Sequence, residues 1–325
     1  KKDGFSNTQI ANLISSDKKL IEEQLDNFNI KPTFKMVDTC AGEFEAQTPY
    51  YFKTYEELNE NRISNNKKIV ILGSGPNRIG QGVEFDYSCV HAVKAAQELG
   101  YEAILVNSNP ETVSTDFYIS DKLYMEPLVE EDVLDILNQE KPYGVFIQFG
   151  GQSPLKLAKS IENAGYKILG TSFNSLELAE DRELFGKILS KLKINAPQFG
   201  TAKSIKEALK VANHISYPVL VRPSFVLGGR GMAVVYNETQ LLNYFEKALK
   251  IDASKPVLID KYLDGALEFD IDLLCDGEEV YIPTIMEHIE EAGIHSGDSS
   301  CIIPSISAKK VHLNKIREIS TRLAL

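Results

Sequence analysis

The sequence predicts an α/β fold followed by an α+β fold, with a helical segment ahead of both. Three observations carry this. Between Lys67 and Leu169, β-branched apolar runs alternate with helical periods, the pattern of a parallel, doubly wound sheet. Beyond Ser172 strands follow one another, and Asp276-Gly277 is a hairpin signal, the pattern of an antiparallel sheet with helices packed on it. Before Asn59 no run has the composition of a buried strand. A length of 325 residues fits two or three domains at about 150 residues each.

The elements follow in order. Short helices are predicted over 6–13 and 16–28, with serine at each N-cap. A polar, tyrosine-bearing segment follows, and 59–66, with one apolar residue, is the expected linker. Strands are predicted over 68–72, 102–107, 122–126, 143–149 and 167–169, and helices over 84–99, 129–138 and 153–163. Gly100 fits the position just past a helix end. In the second half, helices are predicted over 181–192, 204–215 and 239–250. Strands are predicted over 256–262, 267–275 and 279–287, after a two-stranded flap over 218–236. The chain ends inside an amphipathic period, and both ends read as cut from a longer polypeptide.

Composition excludes several classes. A hydrophobic fraction of 43% and a charged fraction of 25% are those of an ordinary globular enzyme. A net charge of -11, with no basic run against it, excludes nucleic acid and anionic membrane as partners. No apolar stretch reaches the ~18 residues of a membrane span. Cys40, Cys89, Cys275 and Cys301 form no C-x-x-C pair and read as free thiols of a reducing, cytoplasmic compartment.

The flap is the most informative stretch. Tyr217-Pro218-Val219-Leu220-Val221-Arg222 ends an apolar run on an arginine, and Gly228-Gly229-Arg230-Gly231 brings a second one on a glycine turn. Guanidinium grips phosphate oxygens in a bidentate way, and glycine lets backbone N–H groups approach them closely, so the flap predicts ATP. The competing reading of Arg222 is a pairing with Glu268 or Asp270. Asp260 to Glu268 reads as strand, hinge and strand, a shape whose backbone suits adenine and whose glutamate suits ribose hydroxyls.

Other motifs divide. Gly73-Ser74-Gly75-Pro76-Asn77-Arg78 lacks the third glycine of a dinucleotide fingerprint, and the second strand ends without its acidic residue. A Rossmann-like sheet without that nucleotide site is the better reading. Gly80-Gln81-Gly82 and Glu84-Phe85-Asp86-Tyr87 are expected at the carboxyl ends of its strands. Asn107-Ser108-Asn109-Pro110-Glu111-Thr112 is either a turn of side-chain-to-backbone bonds or the lining of an interdomain cleft, and Phe149-Gly150-Gly151-Gln152 stands alike. His288 and His295 sit among carboxylates, but their spacing matches no compact zinc site. A loop orienting a small anion is the better reading there.

Together these residues resemble the large chain of carbamoyl phosphate synthetase, an ATP-grasp enzyme. The resemblance covers essentially the whole chain. It is carried by Val37-Asp38-Thr39-Cys40-Ala41, Gly75 to Gly82, Asn109 to Asp116, Arg222-Pro223-Ser224 with Gly228-Gly229-Arg230, Met286 to Glu290, and His295 to Ser299. It implies the tail of a helical oligomerisation domain over 1–59, a Rossmann-like pre-ATP-grasp domain over 60–172, and a partial ATP-grasp domain over 173–325. Glu111-Thr112-Val113-Ser114 resembles the version found in the second synthetase half, which phosphorylates carbamate. Carried over, Arg182 and Arg222 hold ATP phosphates. Leu263 and Glu268 are the adenine hinge and the ribose acceptor. Gly293, Ile294, His295 and Ser296 form the loop beside nucleotide and carbamate, with Arg222 and His295 the catalytic pair. Lys261 departs from the family's histidine. The resemblance also implies Mg²⁺ or Mn²⁺ held by a glutamine, a glutamate and an asparagine beyond Leu325, so that the chain alone is inactive. It further implies K⁺, a glutaminase small subunit as partner, self-association through the helical domain, and a product for pyrimidine and arginine synthesis. Two readings compete: another ATP-grasp ligase of the biotin carboxylase type, and an inert ATP-grasp scaffold.

Overall fold

The first unit of the computed structural model, Lys1–Glu177, is built on a seven-stranded sheet. Residues 77–82, 224–231, 252–255 and 295–298 lie outside the described part of the chain. The helical segment comes first, as α1 (Asn7–Leu13) and α2 (Lys18–Asn27). Ser6 caps α1 in a reciprocal pair with Gln9. The cap of α2 is Asp17, not Ser16, because its carboxylate takes the Lys19 N–H at 2.7 Å.

Two strands then contradict the expectation of a strand-free start. They are β1 (Thr33–Met36) and β2 (Tyr50–Thr54). There follow β3 (Lys68–Leu72), α3 (Glu84–Glu98), β4 (Glu102–Val106), β5 (Lys122–Tyr124), α4 (Glu130–Glu140) and β6 (Gly144–Phe146). The unit ends with α5 (Gln152–Leu155), α6 (Ala158–Asn163) and β7 (Ile168–Leu169). The sheet order is β1-β2-β5-β4-β3-β6-β7. The β1–β2 pair is antiparallel, and every later neighbour is parallel. The chain thus adds an antiparallel edge to a doubly wound sheet. Residues 59–62 are not a linker either. Asn59 accepts from the Phe34 N–H at 3.1 Å and the Glu60 N–H donates to the Phe34 carbonyl at 2.8 Å, so this segment covers the edge strand.

Alternation along the strands makes two cores. Val70, Leu72, Ile104 and Val106 face α4 and α6, with Val133, Ile136, Leu137 and Ile161. Ile69, Ile71, Ala103 and Leu105 face α3, with Cys89, Val93 and Ala96. Because β4 and β6 flank β3, the order reverses at the carboxyl end of β3, where such sheets place their ligands. A Cβ on Gly150 would lie 2.2 Å from the Gly73 carbonyl, so the backbones meet there only because Gly150 has no side chain.

Buried charge ties the other end of this sheet. Glu140 is buried between Lys122 at 2.7 Å and Lys68 at 3.0 Å. Tyr124 and Asn61 also bond to it. Burial would raise its pKa, but these partners outweigh burial and hold it below the ordinary value.

The second unit, Leu178–Leu325, opens within α7 (Phe173–Glu180), a helix absent from the expectations. It continues with α8 (Arg182–Lys191), β8 (Phe199–Ala202), α9 (Ile205–Ile215), β9 (Val219–Pro223), β10 (Ala233–Val235), α10 (Glu238–Ile251) and β11 (Val257–Lys261). The two long strands expected next are four short ones, β12 (Phe269–Asp270), β13 (Leu274–Cys275), β14 (Val280–Tyr281) and β15 (Met286–His288). Asp276-Gly277 does join β13 to β14, with Leu274 opposite Tyr281. Last come β16 (Cys301–Ile302) and α11 (Lys310–Ala324). An antiparallel sheet of order β10-β9-β11-β8 packs Val219, Val221, Val257 and Ile259 on Ala208 and Ala212 of α9 and Leu241 and Phe245 of α10. The four cysteines are free thiols, and no helix among the described residues is long and apolar enough to cross a membrane.

One buried group predicts a pH dependence. Glu126 accepts from the Lys53 backbone N–H, and Lys53 Nζ lies 2.7 Å from Asp132 and 2.5 Å from Asp135. Burial first, and then Asp132 and Asp135, push the Glu126 carboxyl up to about 7, against the bond from Lys53. The folded state therefore keeps a proton that the unfolded chain has already lost. Stability falls as pH rises from about 4.5 to about 7, and the cost is complete above that window. Glu126→Gln removes the cost and keeps the acceptor. Urea unfolding should show the variant more stable than the parent by on the order of 2 kcal/mol at pH 8, and equal to it at pH 4.5. A gain that is the same at both pH values contradicts this account.

Candidate functional site

The cationic end of the site follows from strand alternation. In β9, Val219 and Val221 point to the core, so Leu220 and Arg222 point away. In β11, Val257 and Ile259 point to the core, so Leu258 and Asp260 point away. The register sets Leu258 opposite Arg222 and Asp260 opposite Leu220. Arg222 and Asp260 are thus diagonal neighbours on the outer face. Arg222 Nε donates to Asp260 Oδ2 at 3.0 Å, and Arg182 Nη1 donates to Asp260 Oδ1 at 2.8 Å. Arg182 stands in the first turn of α8, whose cap is Asp181, and its guanidinium lies 5.9 Å from the centroid of the Phe199 ring. Phe199 is the register partner of Asp260 on β8.

The structure therefore brings Arg182 and Arg222 together on one carboxylate, which is not the partner of the competing reading. It is Asp260, and not Glu268 or Asp270. One carboxylate neutralises one of two guanidiniums, so the three groups carry a net single positive charge. With the arginine side chains 36% and 32% exposed, that charge faces solvent, and an anion fits it. The signal for Asp260 was present in the pattern Val-Leu-Ile-Asp against Val-Leu-Val-Arg.

The hinge forms the second part. After β11 the chain turns through Tyr262 and Leu263 to Glu268, and Leu263 is exposed. Glu268 Oε2 accepts from the Gly293 N–H at 2.9 Å, and the Tyr262 hydroxyl donates to the Ala292 carbonyl at 3.0 Å. Glu268, Gly293 and Ile294 are thus placed in one region, by way of Tyr262, which the sequence reading passed over. Lys261 donates to the Ser216 and Tyr217 carbonyls at 3.0 Å each. Its ammonium fixes the chain entering β9. His295 and Ser296 lie outside the described residues, as do Gly228 to Gly231 of the flap and Gly80 to Gly82.

The acidic strand β15 is occupied with its own neighbours. Glu287 accepts from Ser305, Ile306 and Ser307, and these bonds pull its carboxyl down to about 2. His288 Nε2 lies 2.9 Å from Asp270 Oδ2. In the first unit, Asn107 accepts from the Gly75 N–H at 3.1 Å and donates to Ser114 at 3.2 Å. Asn109 accepts from the Glu111 N–H at 3.1 Å. The turn reading of this loop is the one the bonds bear out. Ser114 is held in turn by Asp86, through its N–H at 3.0 Å and its hydroxyl.

Comparisons with known proteins agree with one another. Residues 65–178 match the family described as carbamoyl phosphate synthase preATP-grasp domain, and 181–325 match carbamoyl-phosphate synthase L chain, ATP binding domain. The chain is 56% identical over 322 residues to the carbamoyl phosphate synthase large chain of Methanobrevibacter smithii, covering 99% of this chain and 30% of that one. It is 53% identical to the C-terminal section of the large chain of Methanocaldococcus jannaschii, covering 100% of this chain and 54% of that one. The chain thus spans about a third to a half of the length of these relatives. Among solved structures it resembles the biotin carboxylase domain of Hydrogenobacter thermophilus 2-oxoglutarate carboxylase, in complex with MgADP, ADP and bicarbonate. The TM-score is 0.60 at 20% identity, over 80% of this chain and 58% of that one. N5-carboxyaminoimidazole ribonucleotide synthetase from Thermus thermophilus gives 0.58 at 18%, over 78% and 62%. These two likenesses show a shared ATP-grasp fold.

The shared carboxylate predicts a stability effect. Asp260→Asn leaves two neighbouring guanidiniums without their anion. Urea unfolding should show a loss of about 1–2 kcal/mol, the low end of the range because the groups are partly exposed. An unchanged midpoint contradicts the shared bond.

Proposed function

Because the chain belongs to the carbamoyl phosphate synthase large-chain family, we propose that it forms the nucleotide-binding part of the synthetase half that phosphorylates carbamate with ATP. The observation that carries this is the convergence of Arg182 and Arg222 on Asp260, with one net positive charge turned to solvent. The ADP in the carboxylase structure of the same fold supports the nucleotide reading.

The chain's own residues bind and orient. Arg182 and Arg222 take the phosphates, and Asp260 holds both forks in place before the ligand arrives. Leu263 gives the apolar contact for the base, and Glu268 accepts from the ribose hydroxyls. His295 and Ser296, with Gly293 and Ile294, complete the loop toward carbamate. Carbamate is a poor, labile nucleophile whose oxygen has to meet the γ-phosphorus in line, so positioning and exclusion of water supply most of the catalysis. Mg²⁺ or Mn²⁺, when bound, spreads charge from the phosphoryl group in transit. No group of three His, Cys, Asp or Glu side chains among the described residues is placed to hold it. K⁺, a glutaminase small subunit supplying ammonia, and a cytoplasmic setting belong to the same proposal. So does self-association through α1 and α2, while β1 and β2 belong to the sheet of the pre-ATP-grasp domain.

Calorimetry tests the ribose assignment. Glu268→Gln should weaken ADP about fivefold or more, the loss of one charge-assisted hydrogen bond, and should leave 2′,3′-dideoxy-ADP nearly unchanged. Equal weakening of both nucleotides contradicts the role, and a parent chain that binds neither contradicts the nucleotide reading.

A further inference from the structure

The hinge after β11 and the loop after β15 are joined at two points. The Tyr262 hydroxyl donates to the Ala292 carbonyl at 3.0 Å, and the Gly293 N–H donates to Glu268 at 2.9 Å. The ring adds a packing contact. A Cβ built on Gly293 would lie 3.3 Å from Tyr262 Cε2, and Gly293 has φ of +99°. Glycine meets both demands at once.

Tyr262 is itself fixed from below. Its N–H donates to the Pro218 carbonyl at 3.1 Å, and the preceding Lys261 spans the Ser216 and Tyr217 carbonyls. A half-buried side chain on an anchored backbone holds its direction. Burial, then Tyr236, Asp264, Glu291 and Glu268, raise the pKa of the hydroxyl, so it stays a donor. The Ala292 carbonyl is the acceptor it meets.

We propose that Tyr262 is a positioning residue that couples the nucleotide hinge to the loop over 290–294. A nucleotide seated against Leu263 and Glu268 fixes Tyr262, the residue just before Leu263. Through Ala292 and Gly293 that order passes to the segment leading into His295 and Ser296. The coupling rests on the nucleotide reading of this site, and it adds a residue and a direction to it. The base and ribose are read at one end of a tyrosine whose other end holds the substrate loop.

Amide exchange of the 325-residue protein, with and without saturating ADP, tests this, with the hinge over 262–268 as internal reference. In the parent chain ADP should slow exchange both at the hinge and over 289–294. Tyr262→Phe removes one oxygen and keeps the ring. It should weaken ADP about fivefold, as for one hydrogen bond. At saturation it should keep the protection of the hinge and lose most of the protection over 289–294. A purely structural role would speed exchange equally with and without ADP and leave the ligand-induced ratio unchanged. Full ADP-induced protection of 289–294 in Tyr262→Phe overturns the coupling alone. A parent chain that binds no ADP overturns the nucleotide reading and the coupling with it.

Discussion

The candidate site depends on a single carboxylate shared by two arginines. Asp260 takes Arg182 on one oxygen and Arg222 on the other. Without that anion the two cations would repel across a short gap, and neither fork would have a preferred direction. With it, a helix start and two strands are locked to one point. The remaining charge is the feature an incoming phosphate would meet. Lys261, one residue on, points to the other face and secures the root of β9. Alternation along one strand thus separates the group that holds the two arginines from the group that holds the backbone.

The first unit solves a different problem with similar chemistry. Its sheet buries charge at the amino ends of the strands, where Lys68 and Lys122 hold Glu140. Removing one partner from such a buried set costs about 3–5 kcal/mol, because the other charges stay behind. At the carboxyl ends of β3 and β4 the described loops are held by side-chain hydrogen bonds instead. Asn107 and Ser114 are fully buried, and the first is tied to Gly75 and the second to Asp86. The Glu140 set therefore lies at the opposite end of β3 from the point where the strand order reverses.

Much of this was legible in the sequence, and the failures have physical causes. The alternation of Ile69-Val70-Ile71-Leu72 and Ala103-Ile104-Leu105-Val106 announces a two-sided core. Arg182, Arg222, Glu268 and Gly293 were all named in advance, though not with the partners the structure gives them. β1 was missed because only Phe34 of its four residues is buried, so an edge strand leaves almost no periodic signal. Asn59 to Asn66 looked like a linker because its polar groups bond to the sheet, Asn59 and Glu60 to β1 and Ser64 and Asn66 to Glu102, and polarity alone does not separate such a cover from a tether. Asp260 was missed although both strands display the period of two, because register is a property of the pair and not of either strand. Tyr262 carries no signal of its own. Its importance lies in a contact with Ala292, thirty residues away.

The central claim is that one end of this site reads charge and the other reads the nucleoside. Calorimetric titration with adenosine, AMP and ADP, at low and at high salt, tests it most directly. The account predicts that affinity rises with each phosphate, and that added salt erodes the phosphate-dependent part while leaving adenosine nearly unchanged. Equal affinities for adenosine and ADP at both salt concentrations would contradict it.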